Sequence, residues 1–230
     1  MLKNFIKYIY KSTHKCCNNT MIKQSKIDRI ILELEYAINT LHGNHKLEDS
    51  SKFTENSKDI NRKDLKISQG IMRVNHMGEV CAQGLYRGQA AFTDDKKVRE
   101  KLYEMCDEER EHLNMCKTRL DELSGKSSVF NGVWYASSFL LGVFAGVSKR
   151  QFGAGFIEET EKQVSTHLDQ SIEKLPDSDK RSKEMLMHIK EDEEKHKTTA
   201  QKMGSEEIPE IMKNFMDKTS SLMKKITYYL

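Results

Sequence analysis

The chain has 230 residues, of which 37% are hydrophobic and 32% charged, and its formal net charge is +3. This length suits one domain with appendages better than two domains. Its lysines alternate with acidic residues instead of forming a basic patch, which argues against a nucleic-acid-binding protein. The sequence also lacks a Walker loop, a GxGxxG motif after a strand and a paired CxxC motif, so the common nucleotide-binding and zinc-ribbon classes are excluded.

The N-terminal segment, residues 1–26, carries six lysines and no acidic residue, and the first carboxylate is Asp28. Its apolar side chains share one helical face: Leu2, Phe5, Ile6, Ile9 and Tyr10. A basic, amphipathic start without acids is typical of a mitochondrial transit peptide. A disordered basic tail is the alternative interpretation.

The next segment divides into a helix and a polar stretch. Residues 27–41 place apolar side chains at helical spacing and predict a short amphipathic helix whose partner the sequence does not reveal. Residues 43–66 are polar and have no apolar period, which is typical of a flexible linker. We therefore expect residues 27–66 to precede a folded domain that occupies residues 67–230.

Five amphipathic helices and one uncharged stretch follow this linker. Their predicted bounds are 67–92, 95–124, 127–148 for the uncharged stretch, 150–174, 178–203 and 210–228. We expect Thr93 or Asp94 to cap the second helix. No segment has the pattern of a strand, so the predicted fold class is all-α.

Two of these helices carry an E-x-x-H pair in the middle of an apolar stripe. Glu109 and His112 interrupt the stripe of the second predicted helix, and Glu193 and His196 interrupt that of the helix over 178–203. Steps of three and four residues put such positions on the face that a bundle buries. A single E-x-x-H pair arises often by chance in charged helices, but the repetition is informative.

Glu79 and Glu161 hold equivalent positions in the other two bundle helices. The separations are 30 residues from Glu79 to Glu109 and 32 residues from Glu161 to Glu193, so the chain has two similar helix pairs. Four buried carboxylates are costly without cations. Oxygen and imidazole ligands suit two iron ions, and this order is the pattern of ferritin-like di-iron bundles, in which the two lone glutamates complete or bridge the ion pair.

Other acidic residues of these helices are assigned to solvated faces: Glu108, Glu111, Glu191 and Glu194. The alternative for the whole set is a solvated charged bundle without metal. Such a bundle would keep its fold if Glu109 and Glu193 became alanine, whereas a metal protein would lose its iron.

At these residues the sequence resembles the demethoxyubiquinone hydroxylases, the di-iron monooxygenases of ubiquinone biosynthesis. The resemblance covers about residues 68–230 and is carried by RVNHMGEVCAQGLYRGQ, DEEREHL and EDEEKHKTTA, which start at positions 73, 107 and 191. TEKQVSTHL, from position 160, matches more loosely. The resemblance implies a ferritin-like four-helix bundle with an apolar crossover or interfacial helix and an extra C-terminal amphipathic helix. It implies as iron ligands Glu79, Glu109, His112, Glu161, Glu193 and His196.

The implied activity is hydroxylation of the ring of demethoxyubiquinol, 2-polyprenyl-3-methyl-6-methoxy-benzoquinol. Its cofactors would be two iron ions per chain, with O2 as co-substrate and with electrons from NADH or through the quinol. The resemblance also implies an accessory lipid-binding protein. The alternatives are a di-iron quinol oxidase, which the RVNHMGEV and GLYRGQ motifs disfavour, and a non-enzymatic iron-storage protein, which the apolar insert disfavours.

Three further residues carry expectations. By resemblance His167 lies near the substrate pocket and orients the quinone or relays a proton, and a packing role is the alternative. His76 is either a seventh ligand or, as we prefer, a hydrogen-bond partner of the centre, and Tyr86 is expected to pack in the core. Leu168 replaces an aromatic residue of many relatives, which leaves the shape of the pocket open.

Residues 127–148 contain no charge over 22 positions, a length that could cross a bilayer. A single crossing would put Glu109 and Glu161 on opposite sides of the membrane, so we expect this segment to lie in the interface or to return on the same side. Aromatic residues suit it to the headgroup region: Trp134, Tyr135, Phe139 and Phe144. The terminal helix is expected to join it, and a buried crossover helix is the alternative. The resemblance implies a peripheral protein on the matrix side of the inner mitochondrial membrane.

The five cysteines are an odd number without a framework spacing: Cys16, Cys17, Cys81, Cys106 and Cys116. We expect free thiols in a reducing compartment rather than disulfides. On helices such residues behave as small buried hydrophobic side chains.

Overall fold

The computed structural model describes residues 26–47, 52–54 and 60–230. In this part of the chain it has seven helices and no strand. The helices are α1 Lys26–His42, α2 Arg62–Phe92, α3 Lys96–Glu122, α4 Asn131–Val147, α5 Arg150–Lys174, α6 Lys180–Lys202 and α7 Glu210–Tyr229. The all-α prediction is therefore confirmed. Residues 1–25 of the predicted transit peptide lie outside the described residues, so that hypothesis stays a prediction.

Two helix starts differ from the predicted bounds because of their capping residues. α2 begins at Arg62 and not at residue 67, because the Asn61 side chain accepts two backbone hydrogen bonds from the first turn. The cap of α3 is Asp95, which also accepts two backbone hydrogen bonds. The choice of Thr93 or Asp94 was wrong, because Asp95 is the residue that directly precedes the helix.

The four-helix bundle consists of α2, α3, α5 and α6, and its core has two hydrophobic layers. One layer, toward the C-terminal end of α2, includes Tyr86, Leu102, Met105, Ile157 and Ala200. The other, toward its N-terminal half, includes Met72, Cys116, Leu120, Leu168 and Ile189. Each fully buried Leu or Ile contributes roughly 1.5–3 kcal/mol. On every bundle helix the polar residues singled out above lie between the two layers in sequence.

α4 connects α3 to α5 and packs along α2 at backbone contact distance. A Cβ atom on Gly88 would overlap the carbonyl oxygen of Phe139, and one on Gly142 would overlap that of Leu85. Glycine is the residue that lets two helix backbones approach this closely. α4 is thus the apolar crossover helix of the prediction, with one face buried on α2.

The opposite face of α4 and one face of α7 leave apolar side chains exposed. They are Val133, Leu140, Leu141, Phe144 and Val147 on α4, and Ile211, Phe215, Leu222 and Tyr229 on α7. Tyr135 is buried, so its prediction as an interface aromatic was wrong, whereas Phe139 is half-buried against the same cluster and its interfacial role stays a prediction. Among the described residues, no helix is long and apolar enough to cross a lipid bilayer.

Residues Tyr36–Leu230 belong to one compact unit. Within this unit, Leu41 of α1 packs against α2, α3 and α4. The backbone nitrogen of Leu47 donates to Thr118 Oγ1 at 2.9 Å, and Arg181 Nη1 donates to the carbonyl oxygen of Thr54 at 2.9 Å. These contacts supply the partner that the sequence did not reveal for the end of α1. The division of the chain at residues 26 and 66 stays a prediction.

Candidate metal centre

Six polar side chains from four helices meet between the two hydrophobic layers. They are Glu79 from α2, Glu109 and His112 from α3, Glu161 from α5, and Glu193 and His196 from α6. Each is between 1% and 5% exposed. The structure thus brings together every residue that the sequence predicts as a ligand, and their role in binding metal stays a prediction.

The possible ligand atoms form two groups, and within each group all atoms lie within 4.8 Å of one another. The first group is Glu79, Glu109, His112 and Glu193, and the second is Glu109, Glu161, Glu193 and His196. Glu109 and Glu193 belong to both groups. They are therefore placed to bridge two ions, whereas Glu79 and Glu161 are each placed to complete one.

The pKa shifts of the buried carboxyl groups show that their negative charges are costly to bury together. Burial and the repulsion of a neighbouring carboxylate raise the pKa of Glu79 and of Glu161 well above the ordinary value. Burial also raises the pKa of Glu109, but hydrogen bonds from His112 and His196 outweigh burial and lower that pKa. In the absence of metal, protons therefore take the place of cations.

Each histidine turns one nitrogen toward the carboxylates and the other toward an outer acid. His112 Nδ1 lies 3.2 Å from Glu109 Oε2, and its Nε2 lies 3.2 Å from Asp192 Oδ2. His196 Nε2 lies 2.6 Å from Glu108 Oε2. Metal-binding histidines commonly donate their second N–H to such a carboxylate, which fixes the ring and raises its basicity.

Neither outer acid was predicted from the sequence. Glu108 was assigned to a solvated face, and Asp192 was not singled out. The Glu108 side chain is 54% exposed, yet its carboxylate contacts His196, so that assignment was incomplete. A usable signal exists, since each outer acid directly precedes the glutamate of an E-x-x-H pair.

The donor set fits two iron ions. It combines carboxylate oxygens with imidazole nitrogens in two overlapping groups, which is the ligand chemistry of di-iron bundles. Glu161 Oε1 is buried and has no hydrogen-bond partner among the described residues. An ion in the second group would satisfy this oxygen, which is otherwise expensive to bury.

His76 and Tyr86 lie outside both groups. His76 is buried, and its Nδ1 lies 3.3 Å from Asn131 Nδ2 on α4, so its polar contact is to the crossover helix. Burial lowers the pKa of His76 to about 3. Tyr86 is fully buried in the first hydrophobic layer, as expected, and its hydroxyl has no partner in the described part of the chain.

None of the three cysteines within the described residues forms a disulfide: Cys81, Cys106 and Cys116. Cys106 and Cys116 are buried in the hydrophobic layers. Burial raises the pKa of the Cys81 thiol to about 12. Cys106 and Cys116 behave as small buried side chains, as predicted, and Cys81 is half-buried, whereas Cys16 and Cys17 lie outside the described residues.

An apolar cavity of about 210 Å³, here called the chamber, lies beside the centre between α2, α4, α5 and α7. Its wall includes Met77, Leu85, Phe156, Met212, Met216 and Met223. Leu141, Phe144 and Phe215 belong both to this wall and to the exposed apolar faces. The chamber therefore borders the exposed apolar surface of α4 and α7.

A second cavity of about 30 Å³, here called the metal-side cavity, is lined by Glu79, Glu161 and Glu193. Four residues line both cavities: Gly78, Ala82, Thr160 and Val164. These four residues therefore form a wall that the chamber shares with the metal-side cavity. His167 lies one turn beyond Val164 and lines the chamber, which agrees with a position near substrate, while its role stays a prediction.

Comparison with known proteins agrees with this arrangement. The profile of the family described as "Ubiquinone biosynthesis protein COQ7" matches residues 66–227. The chain is 41% identical over 207 residues to the 3-demethoxyubiquinol 3-hydroxylase of Xanthomonas axonopodis pv. citri (strain 306), covering 90% of this chain and 95% of the relative. It is 39% identical over 213 residues to the enzyme of that name from Legionella pneumophila (strain Paris), covering 91% of this chain and all of the relative. The chain therefore belongs to the COQ7 family of ubiquinone biosynthesis proteins, whose helical bundle is ferritin-like, and the family predicted from its motifs is confirmed.

Proposed function

We propose that this chain is a di-iron monooxygenase that hydroxylates the ring of demethoxyubiquinol with O2. The name of the relatives supplies the substrate class. The observation that carries the proposal is the apolar chamber, which shares a wall with the cavity beside the buried carboxylates. A polyprenyl quinol is an apolar molecule with an oxygen-bearing ring. The apolar chamber suits its polyprenyl tail, and the wall beside the carboxylates suits its ring.

The six buried side chains would hold two iron ions, and Glu109 and Glu193 belong to both groups of ligand atoms. Bound iron would supply the redox chemistry needed to activate O2, which would place one oxygen atom on the ring and release the other as water. The bundle contributes buried carboxylates that balance the charge of the ions, and its hydrophobic layers exclude water from the centre. The two electrons would come from NADH or through the quinol.

The chamber residues bind and orient the substrate in this proposal. Methionine, leucine and phenylalanine side chains hold the apolar part of the quinol, and flexible methionines adapt to its shape. His167 orients the ring or relays a proton. Gly78 and Thr160 lie on the wall toward the centre, so the ring is expected to sit beside them.

In this proposal the protein binds a membrane surface, and the exposed apolar faces of α4 and α7 support that binding. Exposed Lys149, Arg150, Lys218 and Lys225 lie on or next to these helices and would contact anionic headgroups. We propose that the protein is bound peripherally to the mitochondrial inner membrane, on its matrix side. That location rests on the composition of residues 1–26, and the relatives compared above are bacterial. A lipid-binding accessory protein would deliver the quinol to the same surface.

The test uses the full chain loaded anaerobically with Fe(II). After the bound iron is counted, a short-tailed demethoxyubiquinol and isotope-labelled O2 are added, and the product is examined by mass spectrometry. Two irons per chain and the gain of one labelled oxygen atom are expected, while Glu193→Ala abolishes both and Glu111→Gln, an exposed control, changes neither. Two irons without labelled product would replace this proposal with a quinol oxidase or an iron-storage protein. A folded chain that binds no iron would overturn it.

A further inference from the structure

A row of three hydrogen-bonding side chains joins the chamber to the metal-side cavity. His167 lines the chamber, and Asn75 lines the metal-side cavity. Ser171 lies between them, with its Oγ 3.3 Å from His167 Nε2 and 3.3 Å from Asn75 Nδ2. Asn75 and Ser171 are each 3% exposed. Buried polar side chains with fixed partners hold one arrangement, so the direction of each hydrogen can be worked out.

The orientation of the Asn75 amide follows from its other contact. Asn75 Nδ2 lies 2.9 Å from the carbonyl oxygen of Ile71, which can only accept, so the NH2 group faces that carbonyl. Its second hydrogen then points to Ser171 Oγ, which accepts. Ser171 retains one hydrogen of its own, and His167 Nε2 is the remaining partner for it within the described residues.

With the hydrogen bonds in these directions, the ring of His167 carries its hydrogen on Nδ1. Burial lowers the pKa of His167 to about 4, with the charges of Lys224 and Lys174 acting in the same direction, so the ring is neutral at pH 7 and carries a single N–H. If Nε2 accepts from Ser171, the N–H is on the other nitrogen. No residue in the described part of the chain accepts from Nδ1, and the ring lies on the chamber wall.

We propose that Ser171 and Asn75 are positioning residues that hold the His167 ring in the tautomer with its hydrogen on Nδ1. The ring thereby presents one N–H donor to an oxygen atom on the ring of the chamber ligand. The identity of that ligand as a quinol rests on the proposed function. Its hydroxyl, methoxy or carbonyl oxygens are the matching acceptors.

NMR spectroscopy of ¹⁵N-labelled full-length protein measures the tautomer, through the correlations between the ring nitrogens of His167 and its carbon-bound ring protons. The protein is loaded with zinc, which occupies oxygen and imidazole ligands without unpaired electrons. The His167 signals are identified by their loss in His167→Gln. We expect the Nδ1–H pattern in the wild type and the Nε2–H pattern in Ser171→Ala. Ser171→Thr, which keeps the hydroxyl, retains the Nδ1–H pattern, and Asn75→Leu gives a mixture because Ser171 is then free to accept.

Ser165→Ala is the matched control, since Ser165 lies on the same helix and donates to Glu194 instead. It should leave the His167 signals unchanged. A wild-type Nε2–H tautomer, or an Nδ1–H tautomer that survives Ser171→Ala, overturns the inference.

Kinetics of the iron-loaded protein supply the second measurement. Loss of one neutral hydrogen bond corresponds to about a fivefold to tenfold rise in KM for the quinol. We expect this rise in Ser171→Ala, a much smaller change in kcat, and rescue by Ser171→Thr. A wild-type chain that shows the Nδ1–H tautomer but forms no hydroxylated quinol overturns the proposed function and supports the positioning role. A hydroxylating wild type with the other tautomer overturns the positioning role alone.

Discussion

Asp192 on α6 holds His112 on α3, with 3.2 Å between Asp192 Oδ2 and His112 Nε2. Glu108 on α3 holds His196 on α6 in the reverse direction, with 2.6 Å between Glu108 Oε2 and His196 Nε2. Each E-x-x-H helix therefore supplies the acid that orients the histidine of the other helix. This exchange turns both Nδ1 atoms toward the shared carboxylates Glu109 and Glu193.

Asp192→Asn is expected to weaken metal binding by about 10–100-fold, because His112 loses the carboxylate that orients it. Competition with a chelator of known affinity measures the change. Glu191→Gln, at the neighbouring exposed position, is the control and should bind metal as the wild type does. Equal affinities for Asp192→Asn and the control would show that the contact does not support the centre.

Replacing a glutamate that belongs to both groups is expected to remove more metal than replacing one that belongs to a single group. Glu193→Ala removes a residue of both groups and should lose both ions, whereas Glu79→Ala affects the first group and should retain close to one ion. Metal analysis of the purified variants measures the ratio of iron to chain, and circular dichroism checks that the helices persist. Equal iron contents in the two folded variants would contradict the assignment of Glu193 as a bridge.

Gly78 offers a way to close the wall between the chamber and the metal-side cavity. A Cβ atom there meets nothing within 4 Å, so Gly78→Ala should raise the free energy of unfolding by roughly 0.5–1 kcal/mol, as expected for alanine within a helix. Gly78→Leu fills the shared wall, and hydroxylation should fall on the order of a hundredfold while two irons remain bound.

Urea unfolding and product formation measure these two effects. Gly132→Leu is the control, because it adds the same side chain at an exposed position of α4. A fully active Gly78→Leu protein would mean that substrate does not approach through this wall.

His76 is expected to make folding sensitive to acid. Burial lowers its folded-state pKa to about 3 from an ordinary value of 6.5, so the folded state binds fewer protons than the unfolded state between these values. The contribution of His76 to the free energy of unfolding is complete above pH 6.5 and is lost as the pH falls toward 3. At pH 4.5 the loss amounts to about 2–3 kcal/mol.

Urea unfolding of the metal-free protein at pH 7 and at pH 4.5 measures this loss. His76→Asn lacks the titrating ring and should lose correspondingly less stability over the same interval. The same loss in wild type and variant would assign the acid sensitivity to other groups.

The exposed apolar faces are expected to bind lipid. Leu140 on α4 and Leu222 on α7 are 68% and 59% exposed and do not line the chamber. Replacing both with serine should abolish sedimentation with anionic vesicles and leave turnover of a detergent-solubilised, short-tailed quinol intact. Met187→Ser, at an exposed apolar position of α6, is the control. Undiminished vesicle binding by the double variant would place the membrane surface elsewhere.

The helical period explains why the sequence predicted some positions and missed others. Glu79 and Glu161 interrupt apolar stripes, so their burial followed from spacing alone. Asp192 lies at the edge of its helix face, where contact depends on the neighbouring helix. Tyr135 was misplaced because α4 is apolar on nearly every side, and an unpatterned helix gives no period from which to read a buried face.

The sequence by itself determined the all-α fold, the family and the six polar residues of the core, because stripes, motifs and interruptions are local patterns along single helices. The tertiary structure decided which residues are shared between the two groups, which acids hold the histidines and where the chamber meets the centre. These features are distances between side chains on different helices, and the packing of one helix on another sets them. Gly88 and Gly142 illustrate this difference between local pattern and tertiary contact. The sequence gives only two glycines, whereas the structure shows that at each of them the backbones of α2 and α4 are in contact.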